Sequence, residues 1–184
     1  NIIVTIVDYF THIPDIFEYV SKFLSQETLV VAISSTFLAP FVSVKEGRSN
    51  RSEEVRRYYQ GDLWFEDSQE LKNWAEDFKK KLRKVNPKIK LVLGGVKSQF
   101  ALWRPDIYSS FDYICIGAAD KSFPQFVKQL QCGEPVLTKN IMEQINLIDN
   151  TLDLTDKICP DAIWIDADAV QKGESLPIEI SRGC

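Results

Sequence analysis

The sequence predicts an α/β fold, a doubly wound and mostly parallel sheet with helices on both faces. Three observations carry this. Short runs rich in β-branched residues alternate with stretches of helical periodicity, in the order β-α-β-α-β. The strand runs are apolar nearly throughout, as expected when a sheet is covered on both sides. The stretches between them carry recognisable start and stop signals for helices.

The first predicted strand is 2–7, in which Ile2, Ile3, Val4, Thr5, Ile6 and Val7 are all β-branched. A helix over 14–24 follows, with Ile16, Phe17, Val20, Phe23 and Leu24 on one face and Pro14 just inside its start. The second strand is 29–35. The next helix is predicted over 68–85, where Leu71, Trp74, Ala75, Phe78, Leu82 and Val85 recur at helical spacing. Asp67 and Glu70 resemble a capping box, and the basic run over 79–84 suits the C-terminal end of a helix dipole. Asn86 and Pro87 stop the helix. Strands over 89–93 and 113–116 follow, then a third helix over 123–130 that ends before Gly133. Right-handed crossovers between such strands give a Rossmann/flavodoxin-like sheet.

Two regions depart from the alternation. Residues 42–66 form an insertion, basic at its centre (Lys45, Arg48, Arg51, Arg56, Arg57) and aromatic at its end (Tyr58, Tyr59, Trp64, Phe65). It reads either as a solvated surface excursion or as a lid that contacts a ligand or partner. Residues 134–184 carry little periodicity outside 140–148 and read as an irregular connecting segment.

Composition narrows the function classes. At 184 residues, with 45% hydrophobic and 26% charged residues, the chain has the balance of an ordinary globular domain. A net charge of −4 argues against a general nucleic-acid footprint. No apolar run approaches the roughly 20 residues of a membrane helix, and no secretory signal is visible. Cys115, Cys132, Cys159 and Cys184 are widely spaced and form no CxxC pair, which points to a reducing cytoplasm rather than a disulfide framework.

In an open parallel sheet, ligands bind beyond the carboxyl ends of the strands. That rule singles out three loops: Ser34, Ser35 and Thr36; Gly94 and Gly95; Gly117, Ala118, Ala119 and Asp120. Glycines let a backbone approach a ligand closely and hydroxyls donate to phosphate or amide groups, although small residues are also ordinary turn chemistry. His12 has no metal-binding or acid–base partner nearby in sequence and reads as a loop histidine. No Walker A, GxGxxG or GxSxG pattern is present. Asp153, Asp156, Asp161, Asp166 and Asp168 make an acidic stretch whose spacing matches no calcium loop.

The most specific stretch is Leu176-Pro177-Ile178-Glu179-Ile180-Ser181-Arg182-Gly183-Cys184, a short strand that runs into Arg-Gly-Cys. It resembles the start of a radical SAM core, where such a strand leads into a CxxxCxxC loop. The resemblance implies that Cys184 is the first of three thiolates holding a 4Fe–4S cluster, whose remaining iron binds S-adenosylmethionine. Thiolates suit such clusters as soft, anionic ligands.

Further upstream, Val30-Val31-Ala32-Ile33-Ser34, the stretch from Asn86 to Gly95, and Phe111-Asp112-Tyr113-Ile114-Cys115-Ile116-Gly117 resemble successive units of the cobalamin-binding-like domain that often precedes that core. The resemblance implies such a domain over 1–133, a linker over 134–173 and the start of the radical SAM core over 174–184. The implied partners are the core of the same chain and a substrate that the sequence does not identify; composition adds no membrane and no clear nucleic-acid binding. Cobalamin becomes a possible ligand of the three strand-end loops; the alternative is a scaffold or substrate-recognition domain without it.

Three departures from the family bear on these expectations. Gly117-Ala118-Ala119-Asp120 replaces the usual Gly-Glu-Gly-Glu turn. The Asp-x-His-x-x-Gly motif that supplies an axial histidine is absent, so His12 is not cast in that role. Residues 2–7 followed by Asp8 align with the family's second strand, which implies that the first strand and helix are missing.

Overall fold

The computed structural model describes residues 3–7, 13–35, 38–39, 63–64, 68–117, 119–136, 138–141 and 145–149. Its elements are α1 (Ile16–Ser21), β1 (Val30–Ser34), β2 (Leu38–Ala39), β3 (Leu63–Trp64), α2 (Ser68–Val85), β4 (Lys90–Gly94), a 3₁₀ segment (Val96–Leu102), α3 (Pro105–Tyr108), β5 (Tyr113–Ile114), α4 (Ser122–Cys132), β6 (Thr138–Ile141) and β7 (Ile145–Ile148).

The main sheet has the order β1-β4-β5-β7-β6. Four strands are parallel: Val31 lies opposite Leu91, Leu93 opposite Ile114, and Ile114 opposite Leu147. β6 closes one side as an antiparallel partner of β7. The α/β class and the mostly parallel sheet are therefore as the sequence predicts.

Side chains alternate across this sheet, and each set has its own helices. Val31, Ile33, Leu91, Leu93, Ile114, Ile145 and Leu147 pack with α1, α2 and α3 through Phe17, Leu71, Ala75, Phe78, Leu82 and Ile107. Val30, Val92, Tyr113, Cys115 and Ile148 pack on the other side with Phe123, Phe126, Val127 and Leu130 of α4. A period of two in the strands thus serves two layers at once, which is why the strand sequences are apolar on both faces.

The helices follow local chemistry. α2 buries Leu71, Ala75, Phe78 and Leu82 at spacings of four, three and four, and Trp74 stacks on Phe78 with ring centroids 5.4 Å apart. Lys81 pairs with Asp77 at 2.8 Å one turn away, and this partner raises the Lys81 pKa. α4 ends at Gly133, whose φ of 69° closes the helix with a left-handed cap. α1 is shorter than the predicted 14–24. Its N-cap is Asp15, whose carboxylate accepts from the Glu18 N–H at 2.9 Å, so Pro14 stands before the cap and not inside the helix.

Three expectations are corrected. Residues 3–7 are not a strand; Ile3, Val4 and Ile6 are 93%, 73% and 79% exposed. β-branched composition makes a strand only where an edge is there to pair with, and no described strand lies beside them. Residues 134–149 do more than connect, because β6 and β7 complete the sheet next to β5. Within the 42–66 insertion, Leu63–Trp64 forms β3 and pairs in parallel with β2; the rest of that insertion lies outside the described residues, as do 150–184.

Buried Asn86 and half-buried Asp112 tie the amino ends of the strands together. The Asn86 side-chain amide donates to Gln26 O at 2.9 Å and Thr28 O at 3.0 Å, while its Oδ1 accepts from the Lys88 N–H at 3.0 Å. Asp112 accepts from Arg83 Nη2 at 2.7 Å, Lys79 Nζ at 3.4 Å and the Leu91 N–H at 2.9 Å, and its own N–H donates to Leu91 O at 2.8 Å. These contacts set α2 against β4 and β5.

Candidate functional site

β1, β4 and β5 run in parallel, so their carboxyl ends deliver Ser34 and Ser35, Gly94 and Gly95, and Cys115 to Gly117 to the same edge. The three loops singled out in the sequence do converge. Their geometry shows how they are joined.

Gly95 has φ +89°, a conformation that favours glycine. A Cβ built there would lie 2.9 Å from Ser34 Oγ and 3.0 Å from both the backbone N and the Oγ of Ser35. The space left by its missing side chain is therefore filled by the end of β1. Gly94 is less demanding, because its Cβ would meet the Cys115 Cβ at an ordinary 3.8 Å.

The next joint lies between β4 and β5. Ser98, one turn into the 3₁₀ segment, is fully buried and places its Oγ 2.7 Å from both Gly95 O and Cys115 O. A hydroxyl has one proton, which lies between the two carbonyl oxygens, and Gly95 O also accepts from the Ser98 N–H at 3.1 Å. This side chain bridges the β4 and β5 loops where they would otherwise part. Ser98 was not among the residues singled out from sequence; its three-residue spacing from Gly95, typical of a serine turn, is the signal that could have found it.

The remaining positions face outward. Ser34, Gly95, Gly117 and Asp120 are exposed, Ala119 is half-buried, and Gly117 adopts φ 80°. Ser35 is fully buried. Thr36, Ala118, His12 and Cys184 lie outside the described residues.

Among the described residues, the arrangement does not fit cobalamin well. A corrinoid tail entering between strand ends needs a cleft lined by small residues, yet here Gly95 is packed on Ser34 and Ser35, and Ser98 spans the next gap. Among the described residues, this edge exposes Ser34, Gly95, Gly117 and Asp120 to solvent. Among the described residues, no group of three His, Cys, Asp or Glu could hold a metal ion.

A depression of about 420 Å³ lies elsewhere, along α2, lined by Glu76, Lys79, Lys80, Arg83 and Lys84. Lys79 and Arg83 from this set are held by Asp112, which precedes β5, so the depression belongs to the amino end of the sheet. All of its lining residues are charged, and it reads as the solvated face of a helix C-terminus.

The shifted titrating groups are also away from the strand-end loops or buried behind them. Burial pushes the Tyr108 phenol well above its ordinary value. Burial, with a smaller contribution from the neighbouring Asp112 charge, raises Tyr113. A hydrogen bond from Arg104 lowers Asp106 at the surface. None of these groups forms an acid–base pair with another.

Among the described residues, no helix is long and apolar enough to cross a membrane. Comparisons with protein-family models, with curated proteins and with solved structures found no match to this chain.

Proposed function

We propose that this chain is the N-terminal α/β part of a radical SAM enzyme, contributing a cobalamin-binding-like domain to S-adenosylmethionine-dependent radical chemistry on a separate substrate. The observation that carries the reading is the sequence Ile180-Ser181-Arg182-Gly183-Cys184, placed after a parallel α/β sheet. In this reading the Cys184 thiolate is one of three ligands to a 4Fe–4S cluster, which supplies the electron that cleaves bound S-adenosylmethionine. The α/β domain itself would position the catalytic core and exclude water from one side of it. The coding sequence past Cys184 tests the assignment directly. It should continue as three residues, Cys, two residues, Cys; another continuation overturns the reading.

Within that assignment, the packing at the carboxyl edge favours a scaffold or substrate-recognition role over cobalamin carriage. Gly95, Ser35 and Ser98 are occupied with one another and with the strand ends, which leaves a joint where a corrinoid would need a cleft. Hydroxocobalamin added to the full-length protein should therefore pass through a desalting column without it. A corrinoid spectrum that stays with the protein would restore the cofactor-binding reading while leaving the radical SAM assignment untouched.

A further inference from the structure

The charge of the chain is unevenly divided. Residues 1–149 hold 19 acidic and 19 basic residues, and residues 150–184 hold seven acidic and three basic ones, so the net −4 lies entirely beyond residue 149. Asp153, Asp156, Asp161, Asp166 and Asp168 supply most of it, against the single cation Lys157, in a stretch that lies outside the described residues.

The opposite charge is gathered on α2. Five of the six residues over 79–84 are cations: Lys79, Lys80, Lys81, Arg83 and Lys84. Lys81 turns to Asp77 and the Phe17 ring, and the other four line the depression of about 420 Å³ together with Glu76. Asp112 holds Lys79 and Arg83, whereas among the described residues Lys80 and Lys84 make no ion pair. Four cations thus stand against two carboxylates, Glu76 and Asp112. A helix dipole favours cations in the last turn, here Arg83 and Lys84, and does not account for Lys79 and Lys80 before it.

The fold puts the acidic stretch within reach of this face. β7 is parallel to β5 and starts beside the residue that holds Lys79 and Arg83: the Asn146 side-chain amide donates to Asp112 O at 3.2 Å. From Ile148, at the far end of β7, eight residues lead to Asp156. At about 3.3 Å per residue they span up to about 26 Å, more than twice the roughly 10 Å that β7 climbs along the sheet. Lysine and arginine carry apolar stems under charged heads, which suits a segment where Leu154 and Ile158 stand between the aspartates.

We propose that residues 153–168 dock on this face of α2, their aspartates pairing with Lys80 and Lys84 and balancing the charge of the depression. The contact does not depend on a radical SAM core following in the chain. A water-soluble carbodiimide joins a carboxylate to an amine where the two touch, and peptide mass spectrometry of the treated 184-residue chain reads the links. The acidic stretch should link to Lys80 and Lys84 in preference to the exposed Lys22 and Lys128. Those links should fall about 10-fold from 0.01 M to 1 M salt, as the screening length shrinks from about 30 Å to about 3 Å. Trypsin gives a second readout, since Lys157 lies inside the docked stretch. Lys80→Glu with Lys84→Glu should speed the cut after Lys157 about 10-fold at low salt, because cleavage follows the population of the undocked form. Lys128→Glu, on α4, should leave that rate unchanged, and circular dichroism checks that both variants stay folded. Equal linking to all four lysines, or a cutting rate that the charge reversal does not move, would overturn the proposal. Links found only between isotopically distinct copies would assign the face to a second chain and overturn it equally.

Discussion

Gly95→Ala probes the joint between β1 and β4 more directly than any other single change. Gly95 has φ 89° and ψ 178°, a region populated almost only by glycine, where another residue costs about 1–3 kcal/mol. The new methyl would also stand 2.9 Å from Ser34 Oγ and 3.0 Å from the Ser35 backbone N. Backbone cannot rotate away as a flexible side chain can, and overpacking of this kind typically costs about 1–3 kcal/mol. The expected total is about 3 kcal/mol, roughly 6–12 °C in Tm for a domain of this size. Gly133→Ala is the matched control: φ is also positive, at 69°, but nothing lies within 4 Å of its Cβ position. Only backbone strain remains there, about 1 kcal/mol. Urea denaturation followed by circular dichroism measures both. If Gly95→Ala costs no more than Gly133→Ala, the Ser34–Ser35 contact does not fill the Gly95 space, and the packed-joint reasoning fails.

The other predictions concern the joints at the amino end and two phenols, buried Tyr108 and half-buried Tyr113. Asn86→Ala removes two donors and one acceptor from a residue only 3% exposed, and should cost about 2–3 kcal/mol in the same denaturation assay. Asp112→Ala leaves the Leu91 N–H and Arg83 without their carboxylate and should cost about 2 kcal/mol, whereas Asp77→Ala, which breaks only an exposed pair, should leave the denaturation midpoint unchanged within error. Tyr108 and Tyr113 have raised pKa values in the folded chain, so the stability they protect is complete below the ordinary phenol value near 10. It is lost as pH rises above that value toward the folded-state values, because the unfolded chain ionises first. Denaturation midpoints should fall with pH from about 10 upward, and Tyr108→Phe should flatten that fall; an unchanged pH profile in this variant would refute the assignment.

Which parts of this fold were legible depended on whether a residue's partner was local or distant. α2 matches the predicted 68–85 because its apolar residues and their helical period lie within the element itself. Gly133 was legible for the same reason, since a left-handed cap is a local demand. Residues 3–7 were misread because a strand needs an edge as well as a propensity. β6 was missed because Thr138, Lys139 and Asn140 carry no apolar alternation; its existence depends on the pairing with β7. The 3₁₀ segment over Val96–Leu102 has no repeat that separates it from a loop.

The candidate site divides the same way. Parallel strand ends brought Ser34, Gly95 and Gly117 to one edge, which topology alone predicts. The sequence did not reveal that Gly95 is spent on packing against Ser35, or that Ser98 bridges Gly95 O and Cys115 O. A glycine that admits a ligand and a glycine that admits a neighbouring loop look alike until the neighbour's distance is known.

The central claim is that these strand ends form a packed joint and the domain works as a scaffold. Equilibrium dialysis of the full-length protein against hydroxocobalamin, read by corrinoid absorbance on each side of the membrane, tests it most directly. The account predicts equal absorbance on the two sides. A stoichiometric excess on the protein side, lost on Gly95→Ala substitution in protein that remains folded, would contradict it.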